Sequence, residues 1–531
     1  VPIGHSLDWD FQVQGCTVAS FRRRWGIVEQ SARPVWAVVD IGSNSLRLVV
    51  YRVETTGFLT LLTNLKHAVR LSEHIDERGY LTERAITILV DTLKAFREAL
   101  SVWNSEQVDI VATAPLRYAR NYAEVVAVLR GHVGWTVRIL RGEEEAHYAF
   151  LAAAHTTYVE DGIAVDMGGG STELALYRKR RCVAYASLPF GALLLTQRFP
   201  SDEGLSDGGR DRIQTFLRQA WKDVPWLGDC GLPVVGIGGT VRSLGKTYSR
   251  SCASPVTDTH QGTIPRQIVV DWANRIASLS IRGRRRDLGL PRGRTVIAAP
   301  ASLALGSLLQ HANSPALVIC RGGLREGMLY ERLRVSHQGT LPAERSLAEV
   351  VRRHGGCGME SPLVVTVDLL VRRLVQVGWL SLEEGEHQKV LRAASLTPLY
   401  EHDRRDTSRF SQMLNWSWDG FSHLEQCQLL WIASPGDPSW RAHRLWWNQA
   451  VTYAQRCRLQ QLAAVISLAR ALTWTQRVMV KDILCTTTDE GVSELTIHWL
   501  GNAFLEKQRC DVAKRHLERS LRRSFVLHFV C

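Results

Sequence analysis

Two stretches of this chain, DIGSNSLRLVVY (40–51) and DMGGGSTELALY (166–177), carry Asp, Gly, Ser, Leu and Tyr in the same columns, 126 positions apart. That spacing is far beyond a solenoid period, so the repeat marks two related α/β halves rather than an array. Each copy opens on a short apolar run, VWAVVDI or GIAVDM. Each then passes through a small polar loop into a second run, LRLVVYRV or ELALY. Strand, Gly-rich turn, strand reads as a hairpin.

The elements between and after the hairpins alternate. Thr82 is placed to cap a helix whose Ile86, Leu89, Val90, Leu93, Phe96 and Leu100 recur at helical spacing. VDIVATA (108–114) reads as a strand ending at Pro115, 121–130 as a helix and TVRIL (136–140) as a strand. Arg141-Gly142 then opens a helix through Glu143, Glu144 and Glu145. Acidic residues in a first turn suit the helix dipole, so this run is either a cap or the seat of a catalytic carboxylate. PVVGIGGT (233–240) is a strand ending in glycines, with Thr240 placed to cap the next helix. LVICRGGLREGMLYERL (317–333) repeats that strand, Gly-Gly, helix order.

After about residue 335 the pattern changes. A Pro- and Gly-containing linker, QGTLPAERS, leads into mostly helical periodicity over 345–354, 361–376, 384–400, 442–473 and 505–521, interrupted by one β-like piece, 492–500. Nine of the seventeen Trp fall here, which points to large core side chains before base stacking. The division is therefore an extension (1–33, with Arg22-Arg23-Arg24), a first α/β half (34–148), a second (149–335) and a helical C-terminal domain (345–531).

Sixty-five Lys plus Arg against 52 Asp plus Glu leave a formal charge of +13. Such an excess either serves solubility or attracts polyanions. No apolar run approaches the roughly 18 residues of a membrane span. Eleven cysteines without a CxxC pair form neither a disulfide framework nor a zinc site, and the first residues lack a secretory pattern. The expectation is a cytoplasmic protein, with a membrane periphery as the other location that its charge allows.

The two loops carry the chemistry. Glycine allows close backbone approach, so Gly42 and Gly168-Gly169-Gly170 turn amide groups toward phosphate oxygens, with Ser43, Asn44, Ser45, Ser171 and Thr172 as side-chain donors. Gly238-Gly239-Thr240 adds a helix start. Asp40 and Asp166, at the strand ends, suit a magnesium ion or its waters. A GxxxxGK[ST] signature is absent, which excludes a P-loop enzyme.

DIGSNS, ATAPLR, RGEEEA, VDMGGGSTE, GIGGT and GGLREG, in this order, resemble the exopolyphosphatase and guanosine pentaphosphate phosphohydrolase family of the sugar kinase–Hsp70–actin superfamily. The likeness is strong over about 35–333 and weak beyond it, in ERSLAEVVRRHG, LNWSWDGFSHLEQ and LTIHWLGNAFLEKQRCDVAKRHLE. It implies two actin-like, ribonuclease H-like α/β domains with a cleft between them, followed by a mostly helical HD-like domain. It also implies Glu145 as general base, Glu173 as a second essential acid, Arg117 as a phosphate-binding arginine, and Mg2+ held by Asp40 and Asp166. The substrate implied is inorganic polyphosphate, losing an end phosphate to water, or guanosine pentaphosphate, and the assembly a homodimer.

Some positions depart from the family pattern. His147 stands where Arg is frequent, and Thr295, Ala298 and Ala299 replace an Asp and a Pro-Gly. Glu401-His402-Asp403 tempts a metal reading but lacks the surrounding histidines. The Arg-rich stretches 282–286 and 179–181 are candidates for gripping a long anion. A kinase or ATP-driven switch would need an adenosine pocket, and a non-catalytic polyanion binder would not need both glutamates.

Overall fold

The computed structural model describes residues 33–530, apart from 106, 334–340, 401–407, 436, 478 and 490–491. Residues 1–32, the first part of the expected linker and Glu401-His402-Asp403 lie outside the described residues.

β1 (Val35–Ile41), β2 (Leu46–Val53), β3 (Leu59–His67), β4 (Gln107–Ala112) and β5 (Arg138–Ile139) form one sheet in the order 3-2-1-4-5. β6 (Gly162–Met167), β7 (Thr172–Arg178), β8 (Arg181–Leu188), β9 (Val234–Ile237), β10 (Thr263–Pro265) and β11 (Ala316–Ile319) form a second, ordered 10-11-9-6-7-8. Five strands of the second sheet repeat the first, with β10 added at the edge. The duplicated hairpins are both present, and each continues into a third antiparallel strand. In each sheet the first hairpin strand also pairs in parallel with a later one, β1 with β4 and β6 with β9.

Both sheets are covered on both faces, which is why their central strands read as unbroken apolar runs. Along β1, Ala37 and Val39 join an outer core with the helices Glu83–Leu100 and Tyr122–Val133. Val38 faces inward to a core shared with Ala164, Ala175 and Val235 of the second sheet. The helices Gly142–Thr156 and Leu324–Leu333 supply the rest of that shared core. The boundary expected at 148 falls inside Gly142–Thr156, which runs unbroken and packs its alanine-rich face onto the second half. Small side chains there let helix and sheet approach closely.

The C-terminal domain is mostly helical, and its Trp431, Trp440, Trp446 and Trp447 rings pack around its core. The single β-like piece is one strand of three. β12 (Val480–Thr487), β13 (Ser493–Trp499) and β14 (Phe525–Val530) form a sheet, with helix Phe504–Leu521 crossing between the parallel β13 and β14. The expected helix 442–473 breaks into Arg444–Ala450 and Tyr453–Leu472, because Thr452 caps a new start by accepting from Gln455 N–H.

This domain grips both halves. Glu54 and Glu349, both buried, lie among Arg352 and Arg353, and Arg352 Nη2 stands 3.3 Å from Glu54. On the second half, Arg321 donates to Asp258 Oδ2 (2.7 Å) and to Ser417 Oγ (2.6 Å). Arg321 immediately precedes the Gly322-Gly323 turn that enters the cleft.

Candidate active site

Each hairpin closes its loop in the same way. Gly42 N–H donates to Ser45 O at 3.3 Å, and Gly168 N–H to Ser171 O at 3.0 Å. The turns face each other: a Cβ on Gly169 would sit 3.1 Å from Ser43 Cβ, and one on Gly170 3.4 Å from Ser43 Oγ. The second turn is held from behind. Ala192 N–H donates to Gly168 O (2.9 Å) and Leu193 N–H to Gly169 O (3.0 Å), at the start of helix Ala192–Arg198. With those carbonyls engaged outward, the turn presents its remaining amides to the cleft. Gly191 permits this packing, since a Cβ there would stand 2.6 Å from Gly168 O.

Strand register places the acids. Asp166 pairs with Glu173 across β6–β7, and Asp40 with Arg47 across β1–β2. Cross-strand partners share a sheet face, so the same column of the repeat is an acid in one half and a cation in the other. Glu145 projects from the first turn of helix Gly142–Thr156 and ion-pairs with Arg117. Arg117 also donates to Leu140 O (2.8 Å), and its Nη2 is buried without a hydrogen-bond partner among the described residues. The capping reading of the Glu run belongs to Glu144, which accepts from Arg141 N–H at 2.9 Å; Glu145 is left free to face the cleft.

Burial and mutual repulsion dominate the electrostatics. Glu145 is pushed up to about 7 by burial, against the pull of Arg117 and with a push from Asp166 and Asp40. Glu173 is driven well above the carboxylate range by burial and then by Glu145. Ser187 Oγ donates to it at 3.3 Å. Asp166 rises to about 6 through burial, with Asp40 adding to the push, and Asp40 is raised by burial against Arg325 and Arg47. The four carboxylates thus feel one another across one crevice. Gly238 forms its floor beside Asp166: at φ 105°, with a would-be Cβ 3.6 Å from Asp166 Oδ1, the position suits only glycine.

Three expectations change. Thr172 turns its hydroxyl away, donating to Phe190 O at 2.7 Å, and is fully buried. Thr240 does not cap, because helix Gly239–Ser251 already starts at Gly239, with Gly238 in the cap position. The Arg-rich stretches do not form an anion groove. Arg284 is fully buried and bridges Ile276, Thr295 and Ser201 carbonyls at 2.7–2.9 Å. Lys179-Arg180 make the left-handed turn between β7 and β8, and Arg180 donates to Thr157 O (2.9 Å) at the end of helix Gly142–Thr156. His147 hydrogen-bonds Tyr185 OH (2.6 Å) and Glu331 (3.2 Å).

The structure adds residues that the sequence reading left out. Arg325 Nε stands 3.8 Å from Asp40 Oδ2, with a buried Nη1 that has no partner among the described residues. Glu326 fixes the preceding turn by accepting from Gly323 N–H and Tyr51 OH, both at 2.7 Å. Arg242 is near enough to Asp166 to oppose its rise. A usable signal existed: Arg242 and Arg325 sit in the first turns of helices, where the dipole disfavours a cation.

Two lobes with duplicated sheets, joined by crossing helices and opening on paired glycine turns, define an actin-like α/β fold with its acids in the interlobe cleft. Within that class, the sequence profile of the Ppx/GppA phosphatase family matches residues 49–336, and the chain belongs to that family. An Aquifex aeolicus Ppx/GppA crystal structure is 25% identical, with TM-score 0.53, over 58% of this chain and all of that one. An exopolyphosphatase structure from Cytophaga hutchinsonii shares the fold at 22% identity and TM-score 0.52, also over 58% of this chain and all of that one.

Proposed function

We propose that the chain hydrolyses the terminal phosphoanhydride of inorganic polyphosphate, with Glu145 as general base and magnesium as cofactor. The observation that carries this reading is the meeting of Glu145 and Glu173 with two aspartates at the mouth of two facing amide turns. A base works best with a pKa near the working pH, and Glu145 has been lifted to about 7. Its place beside Arg117 suits it to take a proton from a water aimed at the end phosphorus. Arg117 Nη2 and Arg325 Nη1, both short of partners among the described residues, are donors for the equatorial oxygens. Glu173, held protonated more firmly, donates to or orients that water.

For the metal, the donor chemistry fits. Asp40 and Asp166 are two carboxylates that destabilise each other's charge. No cluster of three or more His, Cys, Asp or Glu forms a metal cage among the described residues. Two carboxylates with remaining positions for water and phosphate oxygens match magnesium's habit. When bound, magnesium would neutralise charge on the phosphoryl oxygens.

The test is phosphate release from long-chain polyphosphate and from guanosine pentaphosphate, side by side, with magnesium and with chelator. Magnesium-dependent release favouring polyphosphate is expected. Release favouring guanosine pentaphosphate would move the chain to the other branch of the family's chemistry. Tight binding of both without release would make it a polyanion binder.

A further inference from the structure

Beyond Asn44 and Gly239 the cleft widens into a pocket of about 450 Å³. Its walls come from both lobes. Lys66, near the end of β3, and Arg70 line one side. Arg242, Lys246 and Arg250 of helix Gly239–Ser251, with Arg294, line the other. Among the described residues, neither an acidic nor an aromatic side chain lines it.

Positions 242, 246 and 250 are four apart, so one helix face presents three like charges in a row. That arrangement weakens a helix unless something neutralises it. Arg70 reaches an acid, Glu73, at 3.4 Å. Among the described residues, Lys66, Arg242, Lys246, Arg250 and Arg294 have no carboxylate at ion-pair distance. The repulsion spreads inward. Burial, then Arg325 and Arg242, pull Arg47 down to about 10. Burial, then Arg47, Arg294 and Arg242, lower Lys66. A file of cations therefore runs from Arg325, against Asp40, through Arg47 and Arg242 to the pocket.

We propose that this pocket binds successive phosphates of a linear polyphosphate chain whose end phosphate sits in the turns, and so favours long inorganic chains over nucleotides. The inference rests on the reading of the turns as the hydrolytic site. A nucleobase wants an aromatic or flat apolar wall, which the pocket's lining does not offer. A chain with a charge on every unit satisfies several separated cations at once, and the gain multiplies along it.

Lys246 and Arg250 are exposed at the pocket rim, so the double variant Lys246→Gln/Arg250→Gln leaves the core intact. It should melt no lower than wild type, because the helix sheds its like-charge row. The quantity to measure is the ratio of kcat/KM for long-chain polyphosphate to that for tripolyphosphate. That ratio should fall about tenfold in the double variant. The melting-temperature rise that long-chain polyphosphate induces should shrink as well. An unchanged ratio, with both substrates still cleaved, overturns the pocket and leaves the hydrolytic reading standing. An equal fall for guanosine pentaphosphate gives the pocket to the nucleotide and also overturns it. If wild type releases no phosphate from either chain, the hydrolytic reading fails. The melting shifts then decide the pocket alone, and equal shifts in wild type and variant overturn it.

Discussion

Glu145→Gln separates charge from shape at the centre of the cleft. The side chain keeps its size and an acceptor for Arg117, but loses its proton chemistry. In the folded protein the carboxyl is raised from 4.5 to about 7, chiefly by burial. A raised carboxyl stabilises the fold through its held proton. That contribution is complete below pH 4.5 and is lost as pH climbs through about 7. At 1.36 kcal/mol per unit, the linked loss is at most about 3 kcal/mol, an upper limit because Glu173 competes for the same proton. The Gln variant lacks this loss. Its stability relative to wild type should therefore rise by up to about 3 kcal/mol from pH 4.5 to about pH 8. Urea denaturation at a series of pH values, in metal-free buffer, reads this directly. The same variant should lose about 10²–10⁴-fold in turnover, while wild-type kcat/KM rises through about pH 7. A stability difference that stays flat across this window would refute the buried, shifted carboxyl. Turnover within a few-fold of wild type would refute the base.

Three further outcomes follow from the geometry. Asp166→Asn relieves the repulsion with Asp40, and should raise the magnesium concentration needed for half-maximal activity well above wild type while leaving melting temperature level or higher, checked by a magnesium titration beside a thermal scan. Gly191→Ala drives a methyl against the Gly168 carbonyl, so the second turn must shift; kcat/KM should fall by about 10²-fold, since misplacement near 1 Å is enough for such a loss. Arg284→Met strands three buried carbonyls at about 1–3 kcal/mol each, so denaturation should show a loss of several kcal/mol, with near-normal specific activity in the fraction that stays folded.

The repeated hairpin was the most legible feature, because its signal is local. A Val-rich strand, a glycine turn and a second strand are set by residues adjacent in the chain. The register that pairs Asp166 with Glu173 follows from the length of the turn. Glu145 was visible as one of three glutamates, but which one capped and which faced the cleft depended on helix phase against the second sheet. The Arg-rich stretches misled because a run of guanidinium groups looks the same whether solvated or satisfied. Only the carbonyls of Ile276, Thr295 and Ser201, from three separate places in the chain, show Arg284 to be a staple. Strands β12 and β14 were missed for a similar reason: each needs β13 as a partner before its short pattern means anything.

By itself, the sequence determined the two-fold α/β plan, the glycine turns and the identity of the acids, since these rest on short-range backbone preferences and on residue chemistry. Tertiary structure alone decided that the turns face each other, that Arg242 and Arg325 enter the cleft, and that six scattered cations line one pocket. Burial and mutual proximity set those charges and their proton affinities, and both depend on groups far apart in the chain.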